Sequence, residues 1–300
     1  MSSKYAAVHV SPKGPGDARP TASQIIDDES LEGKLSDKVI LITGCSSGLG
    51  VETARTLFRT GATIYATARD ITKAKAALND IAESLNSLVS VHTCAEEFMS
   101  KSTQLNILIE NAGVMATPEG RTADGFETQF VVNHIAHFLL FYHLQPILLA
   151  SATPNSNSRL IILSSSGHRH SSLHFENINF DGEEYDPWKA YGQSKTANIW
   201  MANEIERKYG AQGLHALSVH PGMIFTELGR HIPPEQTASI IQDNDVKKVS
   251  KSPQQGAAMT IAGPYDPASG YYGPGYATWA YDAAGEKKLW EKTLQLLKLK

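Results

Sequence analysis

Short apolar runs alternate with longer amphipathic stretches along most of this 300-residue chain. An uninterrupted run of about five apolar residues is typical of a buried strand, and a period of about 3.6 residues is typical of a helix. Strands and helices in alternation predict a parallel sheet with right-handed crossovers. The predicted strands are Val39–Thr43, Thr63–Ala68, Asn106–Ile109, Leu160–Leu163 and Leu217–Val219, and the predicted helices are Val51–Thr60, Thr72–Ser84, Gly125–Leu149 in one or two pieces, Ala190–Tyr209 and Gly285–Leu299.

Two parts of the chain do not follow this alternation. Residues 1–35 are rich in Ser, Pro, Gly and charge and show no period, so we expect a flexible N-terminal extension that docks late or not at all. Residues 36–300 are then expected to form a single domain. Within that domain, residues 225–252 contain two consecutive prolines and a charged middle, which predict a loop-and-helix flap beside a substrate pocket.

Composition narrows the class of partner. The formal net charge of −4, without a cluster of Lys or Arg, excludes the basic surface that nucleic-acid binding requires and favours a small-molecule partner. Cys45 and Cys94 cannot form a disulfide framework, and the chain opens without a secretory pattern, so a cytoplasmic setting is expected. The longest apolar stretch, Phe138 to Ala150, is well short of the roughly 20 residues that span a bilayer, so no transmembrane helix is expected.

The first predicted strand leads into a glycine-rich turn with the spacing G-x-x-x-G-x-G. Gly44 would permit the sharp turn, Gly48 would let the backbone approach a pyrophosphate, and Gly50 would let the next helix pack closely. The amides at the start of that helix would then face the phosphates. This turn therefore predicts a dinucleotide site.

The ends of the next two strands add to that site. After the second strand, a carboxylate would bond a ribose 2′-hydroxyl and an arginine would pair with a 2′-phosphate, so Arg69 favours NADP(H) over NAD(H). The structural alternative is that Arg69 is a solvated turn residue and Asp70 caps the next helix. After the third strand, the turn Asn111-Ala112-Gly113 leaves room for a ribose or adenine, although a purely structural turn would look similar.

A tyrosine and a lysine four residues apart supply candidate proton chemistry. Tyr191 and Lys195 lie on one helical face, where the ammonium would favour the phenolate and lower the pKa of the tyrosine. Tyr185 and Lys189 have the same spacing, but Pro187 between them disfavours a continuous helix, so we reject that pair.

Polar residues near the fourth strand are less specific. The run Ser164-Ser165-Ser166 would deliver hydroxyls to the same sheet edge, where one could donate to a substrate carbonyl, or it is merely an exit loop that satisfies its own backbone. The loop that follows contains His168, His170 and His174. These histidines lack a carboxylate or thiolate partner at metal-ligand spacing, so we predict no metal site. His134 and His137 are expected to lie on a helix face.

Taken in order, these motifs resemble the short-chain dehydrogenase/reductase family from about Leu35 to Leu299, in particular the subgroup of retinol dehydrogenases and the WW-domain oxidoreductase. The motifs are Thr43 to Gly50, Asn111-Ala112-Gly113, Asn133 within Val132-Asn133-His134, Ser164-Ser165, Tyr191 with Lys195, and His220-Pro221-Gly222. The resemblance implies an α/β fold with a Rossmann-type, doubly wound parallel sheet.

The resemblance also implies roles for individual residues. Tyr191 would be the general acid in carbonyl reduction and the base in alcohol oxidation, with Lys195 lowering its pKa and holding the nicotinamide ribose. Ser165 would position the substrate oxygen, and Asn133 would hold a water that links Lys195 to solvent. The implied cofactor-binding residues are Gly44, Ser46, Ser47, Gly48, Leu49, Gly50, Arg69, Asn111, Ala112, Gly113, Tyr191, Lys195, Pro221, Gly222, Ile224 and Thr226.

The implied activity is that of an NADP(H)-dependent oxidoreductase. It would interconvert a carbonyl and an alcohol on an apolar small molecule that is retinoid-like, lipid-like or polyketide-like, by hydride transfer. The substrate, the preferred direction and homo-oligomerisation are left open by the sequence.

Two departures from the family pattern affect this interpretation. Glu110 stands where the family usually has a first asparagine, a modest change if its side chain points away from the cofactor. About ten residues are missing between Asp80 and Glu97, so the third strand, at the sheet edge, is shortened or missing. Either Leu88–Thr93 is a short edge strand followed by a short helix, Cys94–Ser100, or the adenine pocket is open on one side.

The missing residues motivate an alternative function. A chain that kept its catalytic residues but lost cofactor affinity with the third strand would be a catalytically weak dinucleotide-binding sensor or a degenerate paralogue.

Overall fold

The computed structural model describes residues 4–5, 7–78, 85–87, 91–262 and 276–300. Within these residues, six parallel strands form one sheet in the order β3-β2-β1-β4-β5-β6. The strands are β1 (Val39–Thr43), β2 (Thr63–Ala68), β3 (Leu85–Ser87), β4 (Ile107–Glu110), β5 (Ser158–Leu163) and β6 (Leu214–Val219). The order reverses between β1 and β4, and in doubly wound sheets the crevice at such a reversal binds the ligand.

Helices connect the strands and flank the sheet. They are α1 (Ala22–Asp28), α2 (Gly48–Phe58), α3 (Ile71–Ala77), α4 (Val91–Lys101), α5 (Thr128–Phe130), α6 (Ala136–Ser151), α7 (Pro187–Tyr209), α8 (Pro234–Gln242), α9 (Asn244–Val249), α10 (Pro253–Ala262) and α11 (Ala283–Leu296). A π-helical turn, Val131–Ile135, joins α5 to α6. In the part of the chain that the structure describes, no helix combines the length and the apolar character needed to cross a membrane.

The core lies on both faces of the sheet. Leu41 and Leu108 pack on one face with side chains of α4, α6, α7 and α11, whereas their neighbours Ile42 and Ile109 pack on the other face with side chains of α2. Neighbouring strand residues point to opposite faces, so a strand covered on both sides must be apolar at consecutive positions. The parallel sheet predicted from the uninterrupted apolar runs is confirmed, as is the doubly wound arrangement that the family resemblance implies.

The third strand is shortened, as one of the two sequence interpretations expects, but it lies elsewhere. Strand β3 (Leu85–Ser87) pairs with the end of β2. The predicted edge strand Leu88–Thr93 is wrong from Val91 onward, where the chain is helical, and its residues 88–90 lie outside the described residues. Helix α4 begins at Val91, three residues before the predicted Cys94–Ser100, because Val91, Ala95 and Phe98 share a helical face that packs into the core. Helix α3 ends at Ala77, and residues 79–84 of the predicted Thr72–Ser84 lie outside the described residues.

The N-terminal segment, expected to be a flexible extension that docks late or not at all, contains a helix that packs on the domain. Helix α1, capped by the Thr21 side chain, buries Ala22, Ile25 and Ile26 completely or almost completely and packs against α10. Arg59, the C-cap residue of α2, also forms ion pairs with Asp27 and Glu32 of this segment. Three apolar residues among polar neighbours are too few for the sequence pattern to reveal, but burying them is enough to favour docking.

The segment 225–252 combines loops with the two short helices α8 and α9. Its loop-and-helix character agrees with the sequence pattern, and its role as a substrate flap stays a prediction.

Candidate active site

The glycine-rich turn between β1 and α2 packs directly against the turn that follows β4. Gly44 and Gly48 have φ angles of +78° and +62°, which favour glycine. A Cβ atom on Gly44 would lie 2.7 Å from Ala112 Cα, and one on Gly50 would lie 2.4 Å from the Gly44 carbonyl oxygen. Neither position therefore has room for a larger residue.

The start of α2 fits a dinucleotide pyrophosphate. Ser47, the N-cap residue, makes no side-chain bond to the first turn of this eleven-residue helix, so the N–H groups there have no side-chain cap. The Ser47 hydroxyl instead bonds the Glu227 carboxylate. Uncapped amides at the positive end of a helix dipole are suited to an anion, and the nearby Ser46 and Leu49 are only half-buried.

Substitution of Gly50 tests the tight packing of this turn. The added methyl of Gly50→Ala collides with backbone, so we expect a loss of roughly 1–3 kcal/mol in the free energy of unfolding and about tenfold weaker NADPH binding. Thermal unfolding and nicotinamide fluorescence titration measure the two effects. Gly229→Ala is the control, because its Cβ would meet Ile232 Cδ1 at an ordinary 3.5 Å. Equal behaviour of the two variants would contradict the assignment.

At the end of β2, Arg69 is exposed and makes no hydrogen bond or ion pair with any residue that the structure describes. The Asp70 carboxylate accepts a 2.9 Å bond from Lys73 N and caps α3, as the structural alternative for Asp70 expects. Lys73 forms an ion pair with Glu227. With Asp70 committed to its cap, Arg69 is the group at this strand end that is free to meet a phosphate.

Thr43 ties the ends of β1 and β4 together. Its hydroxyl accepts 3.0 Å bonds from Asn111 N and Ala112 N, and the Asn111 amide returns a 2.9 Å bond to Thr43 O. A Cβ on Gly113 would lie 3.1 Å from Asn133 Oδ1 and 3.7 Å from Lys195 Nζ. The Asn-Ala-Gly turn therefore runs from the nucleotide end of the crevice to the candidate proton-transfer groups.

Asn133 lies within the π-helical turn Val131–Ile135, a distortion that is common at functional sites. Its side-chain amide bonds Val114 through both N–H and C=O, and also Ser194 Oγ, at 2.8–2.9 Å. The main-chain carbonyl oxygen of Asn133 pairs with His137 Nδ1 at 3.1 Å, and His137 Nε2 pairs with Thr43 Oγ1. Burial lowers the pKa of His137 to about 4, so the ring that links these residues is neutral.

Helix α7 begins with Asp186 as its cap and Pro187 in its first turn, which places Tyr185 outside the helix. Tyr185 bonds Gln129 and Glu127, away from Lys189. The rejection of Tyr185 and Lys189 as a helical pair is therefore confirmed.

Ser165, Tyr191 and Lys195 meet at the carboxyl end of β5. The Ser165 side chain is hydrogen-bonded to the phenol of Tyr191, which is 3% exposed. Lys195 Nζ donates a 2.9 Å bond to Leu163 O and lies 5.6 Å from the centroid of the tyrosine ring. A Cβ on Gly167 would be 2.6 Å from Tyr191 Cε1, so this glycine leaves room for the ring.

Burial controls the pKa of both groups on α7. Desolvation raises the pKa of Tyr191 to about 12, against an opposing hydrogen bond from Ser165, and lowers the pKa of Lys195 to about 8. The expected lowering of the tyrosine pKa by Lys195 is therefore not what this structure shows. The physical reason is that the ammonium donates to Leu163 O while desolvation of the phenolate dominates.

The segment after β6 forms the opposite wall of the crevice and begins at Pro221. Gly222, with φ +106°, lies against the aliphatic part of Lys251. Thr226 lies 3.5 Å from the position of a Cβ on Gly48. Leu49 and Ile224 both approach Gly256 of α10, which brings the glycine-rich turn and this wall together.

Several contributors were missed by the sequence interpretation. Thr43, His137 and Gly167 each shape the site through partners distant in sequence. The sequence signal that could have identified Gly167 is its position directly after the run Ser164-Ser165-Ser166. Glu110 is fully buried, neither of its oxygens has a partner among the described residues, and burial raises its pKa well above the usual range.

The histidines after β5 order their own loop. His168 Nδ1 pairs with Ser165 O at 2.7 Å, and His174 Nε2 pairs with Ser171 Oγ at 2.8 Å. Over the described ranges, no group of three or more His, Cys, Asp or Glu is placed to hold a metal ion.

The chain is similar to known proteins in sequence and fold. A family described as short chain dehydrogenase matches residues 38–237. The chain is 45% identical to short-chain dehydrogenase/reductase prx1 of Penicillium roqueforti, covering 99% of this chain and 95% of that protein. It is 34% identical to retinol dehydrogenase 12 of Mus musculus, covering 88% and 87%.

A solved structure agrees. An uncharacterized protein from Mycobacterium Paratuberculosis superimposes with a TM-score of 0.66 at 32% identity, covering 88% of this chain and 94% of that one. The fold, the match over two thirds of the chain and these relatives lead to one conclusion. The chain belongs to the short-chain dehydrogenase family of nicotinamide dinucleotide-dependent oxidoreductases and is similar to its retinol dehydrogenases.

Proposed function

We propose that this enzyme is an NADP(H)-dependent oxidoreductase that interconverts a carbonyl and an alcohol on an apolar small molecule, with Tyr191 as general acid and base. The observation that carries the proposal is the meeting of Ser165, Tyr191 and Lys195 beside Gly113 and Asn133, at the sheet edge where the uncapped start of α2 also lies. Proton-transfer groups and an anion site at one edge are what this reaction needs.

The chain's own residues provide the proton chemistry. The α2 amides, Arg69 and the wall from Pro221 to Thr226 would hold a nicotinamide dinucleotide, which would supply or accept the hydride. Ser165 orients the substrate oxygen next to the phenol, and Tyr191 donates its proton to that oxygen in reduction. The Lys195 ammonium opposes the negative charge that develops on the phenol, and Asn133 fixes the neighbouring turn through Val114.

Exposed apolar side chains support an apolar substrate. Met223 and Phe225 are exposed directly after Gly222, and the ring of Tyr276 lies 6.0 Å from that of His168 in the loop after Ser165. Trp188 packs edge-on, 6.4 Å from the ring of Tyr191. Apolar side chains on the segments that follow β5 and β6, near the proton-transfer groups, suit a pocket for an apolar ligand.

Titration with NADPH and NADH tests the cofactor preference. We expect Arg69→Gln to weaken NADPH binding about tenfold or more and to change NADH binding little. The reason is that the arginine would pair with the ribose 2′-phosphate, which NADPH carries and NADH lacks. Nicotinamide fluorescence measures both affinities. Arg159→Gln is the matched control. Arg159 is exposed near the start of β5, at the amino ends of the strands, whereas the candidate site lies at their carboxyl ends. Equal losses for both nucleotides would exclude Arg69 as the phosphate-reading residue.

The weak sensor suggested by the shortened third strand is the second candidate. It rested on an absent sheet edge, whereas β3 pairs with Ala66–Ala68 and extends that edge. We therefore propose the enzyme rather than the sensor.

A further inference from the structure

A buried arginine joins the N-terminal segment to the end of the predicted flap. The Arg19 side chain is almost fully buried, and all three of its guanidinium nitrogens donate hydrogen bonds. Its Nη1 donates to Val249 O at 2.9 Å, its Nη2 to Ser250 O at 2.5 Å and to Gly14 O at 3.1 Å, and its Nε to Asp17 Oδ1 at 2.8 Å. One side chain thus binds two stretches that lie about 230 residues apart in the sequence.

Gln255 closes the same connection from the other side. Its Oε1 accepts 3.0 Å bonds from Gly16 N and Ser252 N, and its Nε2 donates to Arg19 O at 2.9 Å. We call residues 14–19, with these bonds to 249–255, the N-terminal latch. It is a polar network whose central members are shielded from water, so its hydrogen bonds define one arrangement rather than many.

The residues that the latch holds form the outer layer of the crevice wall. Lys251 N donates a 2.8 Å bond to Met223 O, and Ser250 and Met223 form an isolated parallel β-bridge. The aliphatic part of Lys251 covers Gly222 so closely that a Cβ there would lie 2.9 Å from Lys251 Cδ. The next helix brings Gly256 against Leu49 and Ile224. A displacement of residues 249–251 would therefore move Gly222 and Met223, which belong to the wall that begins at Pro221.

Residues 250–252 contain no helix or extended ladder that would hold them without outside partners. The carbonyl oxygens of Val249 and Ser250 meet the guanidinium instead. A buried guanidinium is tolerated when its donors are paired, and removing it leaves those carbonyls without their partner. Ser250 N also donates to Val246 O, and Lys251 N donates to Met223 O. Arg19 is therefore the side chain that ties the carbonyl groups of this stretch to the N-terminal segment.

We propose that Arg19 is a positioning residue: through the N-terminal latch it fixes the wall formed by Gly222, Met223 and Lys251, which borders the nicotinamide half of the cofactor site. The part that concerns the cofactor rests on the function proposed above. The N-terminal segment is accordingly a component of the active site scaffold, and not an appendage to the domain.

Amide hydrogen exchange on the full-length chain tests the latch directly. Arg19→Met keeps the aliphatic stem but removes all donors, so exchange in residues 222–226 and 246–256 is expected to accelerate about tenfold or more while β1 is unchanged. Arg19→Lys keeps a charge and some donors, and is expected to restore part of the protection. Arg59→Met is the matched control, because Arg59 ties the N-terminal segment to α2 without contacting 249–251. Unchanged exchange in Arg19→Met would overturn the proposal.

A pair of ligands separates positioning from general damage. Arg19→Met is expected to weaken NADPH binding about tenfold and to leave adenosine 2′,5′-bisphosphate, which fills only the adenosine half, within about twofold. Equal weakening of both ligands would mean a merely structural role and would overturn the positioning claim. If the wild-type chain binds neither ligand, the proposed function fails, while exchange still decides whether Arg19 fixes the wall.

Discussion

Replacement of Tyr191 by phenylalanine is expected to lower kcat for carbonyl reduction by about three orders of magnitude and to leave the Kd for NADPH within about twofold. The phenol is the buried acidic group that shares a hydrogen bond with Ser165 at the sheet edge, and phenylalanine keeps its ring while removing the proton. Because burial raises the pKa of Tyr191 to about 12, the group is protonated across the whole physiological range and ready to donate.

The measurement is NADPH oxidation with a panel of apolar aldehydes and ketones, alongside fluorescence titration of NADPH. Tyr185→Phe is a matched control, since Tyr185 also has a lysine four residues later, and its hydroxyl bonds Gln129 and Glu127 away from Lys195. Turnover that survives in Tyr191→Phe would remove Tyr191 from the reaction. Loss of turnover in both variants would indicate damage to the fold around α7.

The parts of the fold that the sequence predicted are those governed by local spacing. The run before Gly44 is apolar at consecutive positions because β1 is covered on both faces. The glycines follow because a Cβ atom on Gly44 or Gly50 would lie only 2.4–2.7 Å from neighbouring backbone atoms. Tyr191 and Lys195 share a helical face for the same local reason. Such features are written in neighbouring residues and can be inferred from them.

The edge strand shows where local spacing becomes ambiguous. Over six residues, Leu88–Thr93 satisfies a strand alternation, but Val91 also begins a helical series with Ala95 and Phe98. The helix prevails because that series fills the core between the sheet and α6, a contact that a short window does not contain.

The contacts missed in the site are long-range. Thr43 reaches His137 across 94 residues, and Arg19 reaches Ser250 across 231 residues. Thr43 and His137 lie on a predicted strand and a predicted helix, but the patterns of these elements do not say which of their residues meet. Arg19 lies in a segment without a period, and its partner is a carbonyl group that every residue carries. Such pairings depend on the tertiary fold, so the sequence pattern alone does not contain them.

The pKa of Lys195 leads to a specific pH dependence for the candidate reaction. Burial lowers this pKa from 10.5 to about 8, so the side chain is an ammonium below pH 8 and loses its proton as the pH rises through that value. Reduction needs the ammonium, because it opposes the charge that develops when Tyr191 gives up its proton. We therefore expect kcat/KM for NADPH, which reports the free enzyme, to be flat below pH 7.5 and to fall about tenfold per pH unit above 8.5.

A second buried lysine is the control that assigns the fall of kcat/KM above pH 8.5, called the descent below, to one group. Burial also lowers the pKa of Lys251 to about 8, and this lysine lies against Gly222 rather than Tyr191. Lys195→Arg keeps its charge at high pH, so any activity that it retains is expected to lose the descent, whereas Lys251→Arg is expected to keep it. A descent that disappears in Lys251→Arg and persists in Lys195→Arg would place the titrating cation in the wall of the crevice, and Lys195 would then lose its electrostatic role.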